Sequence, residues 1–272
     1  MPAKLVLPAA GPGLVWRDDL VDRLARAHDR SAVVLTAPAG YGKTTLIGQW
    51  AAADPRPFTY LRLDPADNDP GRLLGYLAQA VDTVEPLPAE QLGGLTAFAA
   101  REAYDPTIAI ARLGAAIIGL RTPFVLVIDD AHHLTATASR ALLETVLDHL
   151  PSRSQLAVAG RSESPLPIGR LRGTGRVLLL APDDLAMRPD DTAALFASSG
   201  MAVDEAATHR LTTRTGGWPV VVRLAVAACV DRADQVPRVV GVAGASDIPS
   251  GAVDNTSEVP PSVVDASALE GV

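Results

Sequence analysis

A single cysteine, Cys229, stands among 272 residues, so an internal disulfide is excluded, and no Cys/His set has the spacing of a metal cluster. Lysine is almost as scarce: Lys4 and Lys43 are the only two, against 22 arginines. Aromatic residues make up 4% of the chain, which leaves the core to Ala, Val, Ile and Leu. No apolar run approaches the ~18 residues of a membrane span, and the Met1-Pro2-Ala3-Lys4 start lacks the apolar stretch of a secretory signal. A cytoplasmic chain is the expectation. A basic surplus is missing too. The net charge is −7, and no segment is basic enough to form a nucleic-acid surface by charge alone. No direct DNA contact and no membrane contact are expected of these residues.

The acidity is uneven. Residues 233–272 carry six carboxylates against Arg238 alone, with four prolines, five serines, one leucine and no aromatic residue. Such a segment buries too little apolar surface to offset its ordering entropy, and disorder is expected there. Upstream, short apolar runs alternate with helical patterns, which is the signature of an α/β fold: a mainly parallel sheet with helices on both faces. The runs Ser31–Ala37, Phe58–Leu63, Phe124–Ile128, Gln155–Ala159 and Arg176–Leu180 read as strands. From Pro189 the strands cease. Pro189–Ser198, Asp204–Thr215 and Pro219–Val230 read as helices, Pro219 standing where proline is tolerated, at a helix start. Three regions are therefore predicted: an α/β domain over 1–188, a small helical unit over 189–232 and a tail over 233–272.

The strongest local signal is Pro38-Ala39-Gly40-Tyr41-Gly42-Lys43-Thr44-Thr45, placed between a buried strand and a helix. It has the P-loop pattern, with Ala37 where the strict form has Gly. Gly40 and Gly42 let the backbone turn its N–H groups toward a phosphate chain, and the helix presents its N-terminus to the same anion. Lys43 would hold the terminal phosphates, and the Thr44 hydroxyl would contribute to a Mg²⁺ shell. A second signal, Phe124-Val125-Leu126-Val127-Ile128-Asp129-Asp130, ends a buried strand on two carboxylates. Asp129 is the candidate metal residue, acting through water, and Asp130 the candidate for orienting or deprotonating the attacking water. Arg161, at the end of the fourth strand run, reads equally as a sensor of the γ-phosphate or as a surface arginine. His132 and His133 read as loop and packing residues, since adjacent side chains chelate poorly without a third partner.

With these motifs in order, the chain resembles the nucleotide-binding module of the STAND class of signal-transduction ATPases, near the large ATP-binding regulators of the LuxR family of maltose-regulator type. The likeness spans about Lys4 to Ala228 and includes Gln49-Trp50, Leu63-Asp64, Asp67-Asn68-Asp69, Gly160-Arg161-Ser162 and Gly216-Gly217-Trp218-Pro219. It implies a P-loop NTPase sheet of order 5-1-4-3-2 followed by a helical or winged-helix-like lid. It also implies ATP and ADP with Mg²⁺ as ligands, Pro219 near the base, slow hydrolysis and self-association in the ATP state. In that family, sensor repeats and a helix-turn-helix follow the module. Here the composition changes at Val230–Asp234, which leads us to expect a truncated or frame-shifted form. A stand-alone P-loop ATPase or small-molecule kinase, and a remnant without function, are the alternatives.

Overall fold

The computed structural model describes residues 3–9, 11, 13–99, 106–161 and 164–235. Among the described residues two compact units emerge: those up to residue 11 with those from Trp16 to Ala186, and Gly13–Val15 with those from Met187 to Gln235.

The first unit begins with a short turn of 3-10 helix over Ala3–Leu5, then α1 (Asp18–Arg26), β1 (Ala32–Thr36), α2 (Lys43–Ala53), β2 (Phe58–Arg62), α3 (Pro70–Val84), α4 (Ala89–Ala99) and α5 (Pro106–Ile118). It continues with β3 (Val125–Asp129), α6 (Thr137–His149), β4 (Gln155–Gly160), α7 (Ile168–Gly173), β5 (Val177–Leu180) and α8 (Pro182–Leu185). The five strands form one sheet in the order β2-β3-β4-β1-β5, with every neighbouring pair parallel. This is the expected 5-1-4-3-2 order. β3 and β4 are buried at every residue, as strands covered on both faces must be, which is why they read as continuous apolar runs rather than alternating ones.

Strand parity divides the core into two layers. Ala32, Val34, Leu126, Ile128, Leu156 and Val158 face the cluster built with α3, α5 and α6. Val33, Leu35, Val125, Val127, Ala157 and Ala159 face the cluster built with α1 and α2. Extending the second parity along β3 brings Asp129 to the α2 side. β4 lies between β1 and β3, so the loop after β1 and the end of β3 open at the same edge of the sheet. Strands stand ~4.8 Å apart, leaving the two ends roughly 10 Å apart and within reach of side chains.

The loop after β2 is tied to the region after β3. Asn68 Oδ1 accepts the Thr135 and Ala136 N–H groups at 2.8 and 2.9 Å, and Ser139 Oγ donates to the Asn68 carbonyl at 2.8 Å. Ala136 is the N-cap residue of α6 and offers no side-chain cap; Asn68 satisfies the N–H groups of the two residues that lead into the helix and so fixes its entry. Asn68→Ala removes the acceptor for both N–H groups and is expected to cost about 1–3 kcal/mol of stability, measured as a shift in denaturation midpoint at unchanged slope. Neighbouring Asp67 is fully buried. Its Oδ2 accepts the Asp64 N–H at 2.8 Å and Lys4 Nζ at 2.5 Å. One of the two lysines thus neutralises a buried carboxylate.

The second unit holds α9 (Pro189–Ser198), α10 (Glu205–Thr215) and α11 (Pro219–Gln235), packed around Phe196, Leu211, Val222, Val226 and Cys229. Asp204 caps α10 through its side chain, and Gly216 ends that helix at φ 60°, the left-handed position glycine favours. Pro219 opens α11. That helix outruns the expected stop at Val230 by five residues, since Asp231, Arg232, Ala233, Asp234 and Gln235 include no helix breaker. Residues 236–272, most of the predicted disordered tail, lie outside the described residues. No helix among those described is long and apolar enough to cross a membrane.

Candidate functional site

The turn from β1 into α2 places a buried cation at a helix start. α1, α8, α9 and α10 each open with acidic residues in the first turn, as the helix dipole favours. α2 opens on Lys43, with no acid in its first turn. A cation at a helix N-terminus runs against the dipole, and this one is buried. Such a local conflict is what a site built for an anion requires.

Gly40 at φ 78° and Gly42 at φ 73° supply the two left-handed positions that curl the loop. A Cβ placed on Gly42 meets no heavy atom within 4 Å, so its glycine identity answers to backbone conformation and not to crowding. Pro38, Ala39 and Gly40 are exposed, Tyr41, Thr44 and Thr45 half-buried. Lys43 Nζ donates to the carbonyls of Ala37 and Pro38 at 2.6 and 2.8 Å. Burial lowers its pKa from the ordinary lysine value, and Arg161 adds to that, while the charges of Asp129 and Asp130 oppose it.

Thr44 crosses from α2 to β3: its hydroxyl donates to Asp129 Oδ2 at 2.6 Å. The same oxygen accepts the Tyr60 hydroxyl at 2.9 Å, and Oδ1 accepts the Asp130 N–H at 2.8 Å. The Asp129 side chain is thereby fixed in a buried position, 2% exposed. Burial, with the Asp129 charge and hydrogen bond, holds the Tyr60 phenol above its usual range, so it stays a donor at all physiological pH. Asp130 is left-handed at φ 54°, a conformation aspartate tolerates better than most residues. This twist sends its carboxylate to Arg62, whose Nε donates to Oδ2 at 3.0 Å.

Beside them, the His132 and His133 rings lie 4.1 Å apart between centroids. His132 Nδ1 is buried without a hydrogen-bond partner, and burial, followed by the neighbouring His133, keeps the ring below the usual histidine pKa. Arg161 is exposed at the end of β4, near enough for its charge to act on Lys43 and His132.

Lys43, Thr44, Asp129, Asp130 and Arg161 therefore gather at the C-terminal edge of the sheet, where open α/β sheets bind ligands. Pro219 belongs to the second unit. The donor set suits a nucleotide with Mg²⁺: hydroxyl and carboxylate oxygens for a hard cation, and Lys43 with the first N–H groups of α2 for phosphates. Sequence reading missed Tyr60 and Arg62. Parity contained the signal, because Tyr60 pairs with Val127 and Arg62 with Asp129 on adjacent parallel strands.

Residues 13–159 match the AAA ATPase domain family. Among curated proteins, the serine/threonine-protein kinase PknK of Mycobacterium tuberculosis is 31% identical over 254 residues, covering 91% of this chain and 22% of PknK. The HTH-type transcriptional regulator MalT of Yersinia enterocolitica is 30% identical over 226 residues, covering 82% of this chain and 25% of MalT. The chain thus spans about a quarter of the length of these relatives. Among solved structures, a STAND protein with a tetratricopeptide repeat sensor from Pyrococcus horikoshii aligns with a TM-score of 0.55 at 16% identity, over 85% of this chain and 32% of its own. Cdc6p from Pyrobaculum aerophilum aligns at 0.51 and 14% identity, over 86% of this chain and 65% of its own. Both carry the fold. With the P-loop, the paired aspartates and the 5-1-4-3-2 sheet in place, the chain belongs to the AAA ATPase domain family, as a P-loop ATPase module akin to those of MalT-like regulators.

Proposed function

We propose that this chain is an ATP-binding, slowly hydrolysing switch module of the kind that serves a LuxR-type transcriptional regulator. The observation that carries the reading is the Thr44–Asp129 hydrogen bond, which joins the P-loop helix to the end of β3 beside a buried Lys43. Lys43 and the N-terminal N–H groups of α2 bind the phosphates, and Thr44 and Asp129 would hold Mg²⁺. The cation, when bound, offsets charge on the transferred phosphoryl group. Asp130 orients the attacking water or takes its proton, and Arg161 responds to the terminal phosphate. ADP is retained by the same groups after hydrolysis, and the similarity to STAND proteins supports self-association in the ATP state.

Thermal unfolding with and without ATP·Mg²⁺ tests the proposal. At a hundredfold excess over Kd, linkage adds about 2.7 kcal/mol, which raises Tm by several degrees at ~2–4 °C per kcal/mol. No rise with ATP or ADP would sink the reading. Phosphate release to water without added acceptor separates a switch from a small-molecule kinase, which would transfer to hydroxyl or carboxylate acceptors and idle without them.

A further inference from the structure

The layer between the sheet and α2 is almost entirely apolar: Val33, Leu35, Val125, Val127, Ala157 and Ala159 supply its strand side. Tyr60 lies in this layer at 2% exposure, and its phenolic oxygen is a polar group set among these apolar side chains. Phenylalanine would fill the same volume without a hydroxyl to satisfy, whereas a buried O–H must find an acceptor. Here the acceptor is Asp129 Oδ2 at 2.9 Å, the oxygen that also receives the Thr44 hydroxyl. β2 adjoins β3 in register, with Tyr60 opposite Val127, so the hydroxyl reaches the carboxylate two residues further along the neighbouring strand.

The consequence is geometric. Asp129 Oδ1 is pinned by a backbone N–H, and one further donor on Oδ2 fixes the plane of the carboxylate. Were Thr44 that donor alone, any movement of Thr44 toward a cation would release the carboxylate at the moment it is needed. Tyr60 is rooted in a different strand, so it holds the carboxylate independently of α2. We infer that Tyr60 is a positioning residue for the cation site, its hydroxyl orienting Asp129 so that Mg²⁺ is taken up with the nucleotide. This rests on the ATP-switch reading above, and extends it to a residue that touches neither phosphate nor metal.

Groups that orient metal-binding carboxylates typically cost 10–100-fold in metal affinity when removed. Nucleotide affinity is therefore measured by calorimetry across a Mg²⁺ titration, from excess EDTA upward, for the unaltered chain and Tyr60→Phe. Equal affinities in EDTA with a Mg²⁺ midpoint raised about tenfold in the variant are expected. Electron paramagnetic resonance of Mn²⁺ titrated in the presence of ADP should show the same displacement. A merely structural tyrosine would lower Tm and leave the Mg²⁺ midpoint in place, and that result overturns the inference. Tyr60→Met, whose unbranched side chain adapts to core gaps, gives the same readout if the phenylalanine variant does not fold. Failure of the unaltered chain to bind nucleotide at any Mg²⁺ concentration overturns the ATP reading and this inference with it. Binding with identical Mg²⁺ midpoints in chain and variants overturns the role of Tyr60 alone.

Discussion

Lys43→Ala is expected to lower affinity for both ATP and ADP by at least about a hundredfold, because charge-assisted hydrogen bonds to phosphate oxygens are worth about 1.5–3 kcal/mol each. The same substitution should leave Tm unchanged or raise it. Lys43 is buried at a helix N-terminus, where burial lowers its pKa and the dipole opposes its charge. A lysine whose folded pKa lies below its unfolded value binds fewer protons in the folded state over that window, so stability there rises with pH and the group costs stability at neutral pH. Removing it relieves that cost. The carbonyls it leaves behind, those of Ala37 and Pro38, keep one compensating feature: Pro38 is exposed, so water can serve it. Fluorescence titration with a labelled nucleotide, paired with thermal unfolding, checks both halves. Retained affinity would remove Lys43 from the site, whereas lost affinity with a collapsed Tm would mean that its role is structural.

How far the sequence foretold this site depends on which kind of information each residue carries. Lys43, Thr44 and Asp129 were legible because their chemistry is tied to spacing: a loop of fixed length and a carboxylate closing a five-residue apolar run. Most strand limits fell within one or two residues of the observed ones for a similar reason, since β1, β3 and β4 are covered on both faces and are apolar up to Thr36, Asp129 and Gln155 at their ends. Tyr60 was legible only through parity, because its meaning depends on β2 lying beside β3, a fact of sheet order that no local pattern contains. Arg62 lay further out of reach. Its register partner is Asp129, yet its ion pair is with Asp130. Only the left-handed turn at Asp130 makes that exchange, and a non-glycine residue gives little warning of it. Short α7 and α8 were missed because six and four residues are too few to show a helical period. The hydrogen bonds of Asn68 to the segment entering α6 join positions nearly seventy residues apart, and local reading assigns Asn68 only to its own turn.

Asp130→Asn is expected to slow phosphate release by about 10²–10⁴, the usual contribution of a positioned general base, with ATP affinity within a few-fold of the unaltered chain. The amide is close in size and shape to the carboxylate and cannot accept a proton from water. The left-handed backbone is preserved as well, since asparagine tolerates that region as readily as aspartate. The Arg62 pair bears on whether this carboxylate is available. Its Nε–Oδ2 distance is 3.0 Å, yet the Arg62 side chain is 67% exposed, and exposed pairs contribute about 0–1 kcal/mol. Such a pair cannot lock this carboxylate. It shifts the fraction of time the carboxylate faces a bound phosphate by at most about fivefold, the equivalent of 1 kcal/mol. Arg62→Ser should therefore change hydrolysis by less than that, in the direction of an increase, and the effect should fade with added salt as screening weakens the pair in the unaltered chain. Single-turnover release of labelled phosphate from ATP·Mg²⁺ separates the two substitutions from any change in nucleotide exchange. Full activity in Asp130→Asn would transfer the water-directing role to another group at the sheet edge. A loss of activity in Arg62→Ser, in place of the small gain, would mean that Arg62 supports Asp130 in its working position and does not divert it.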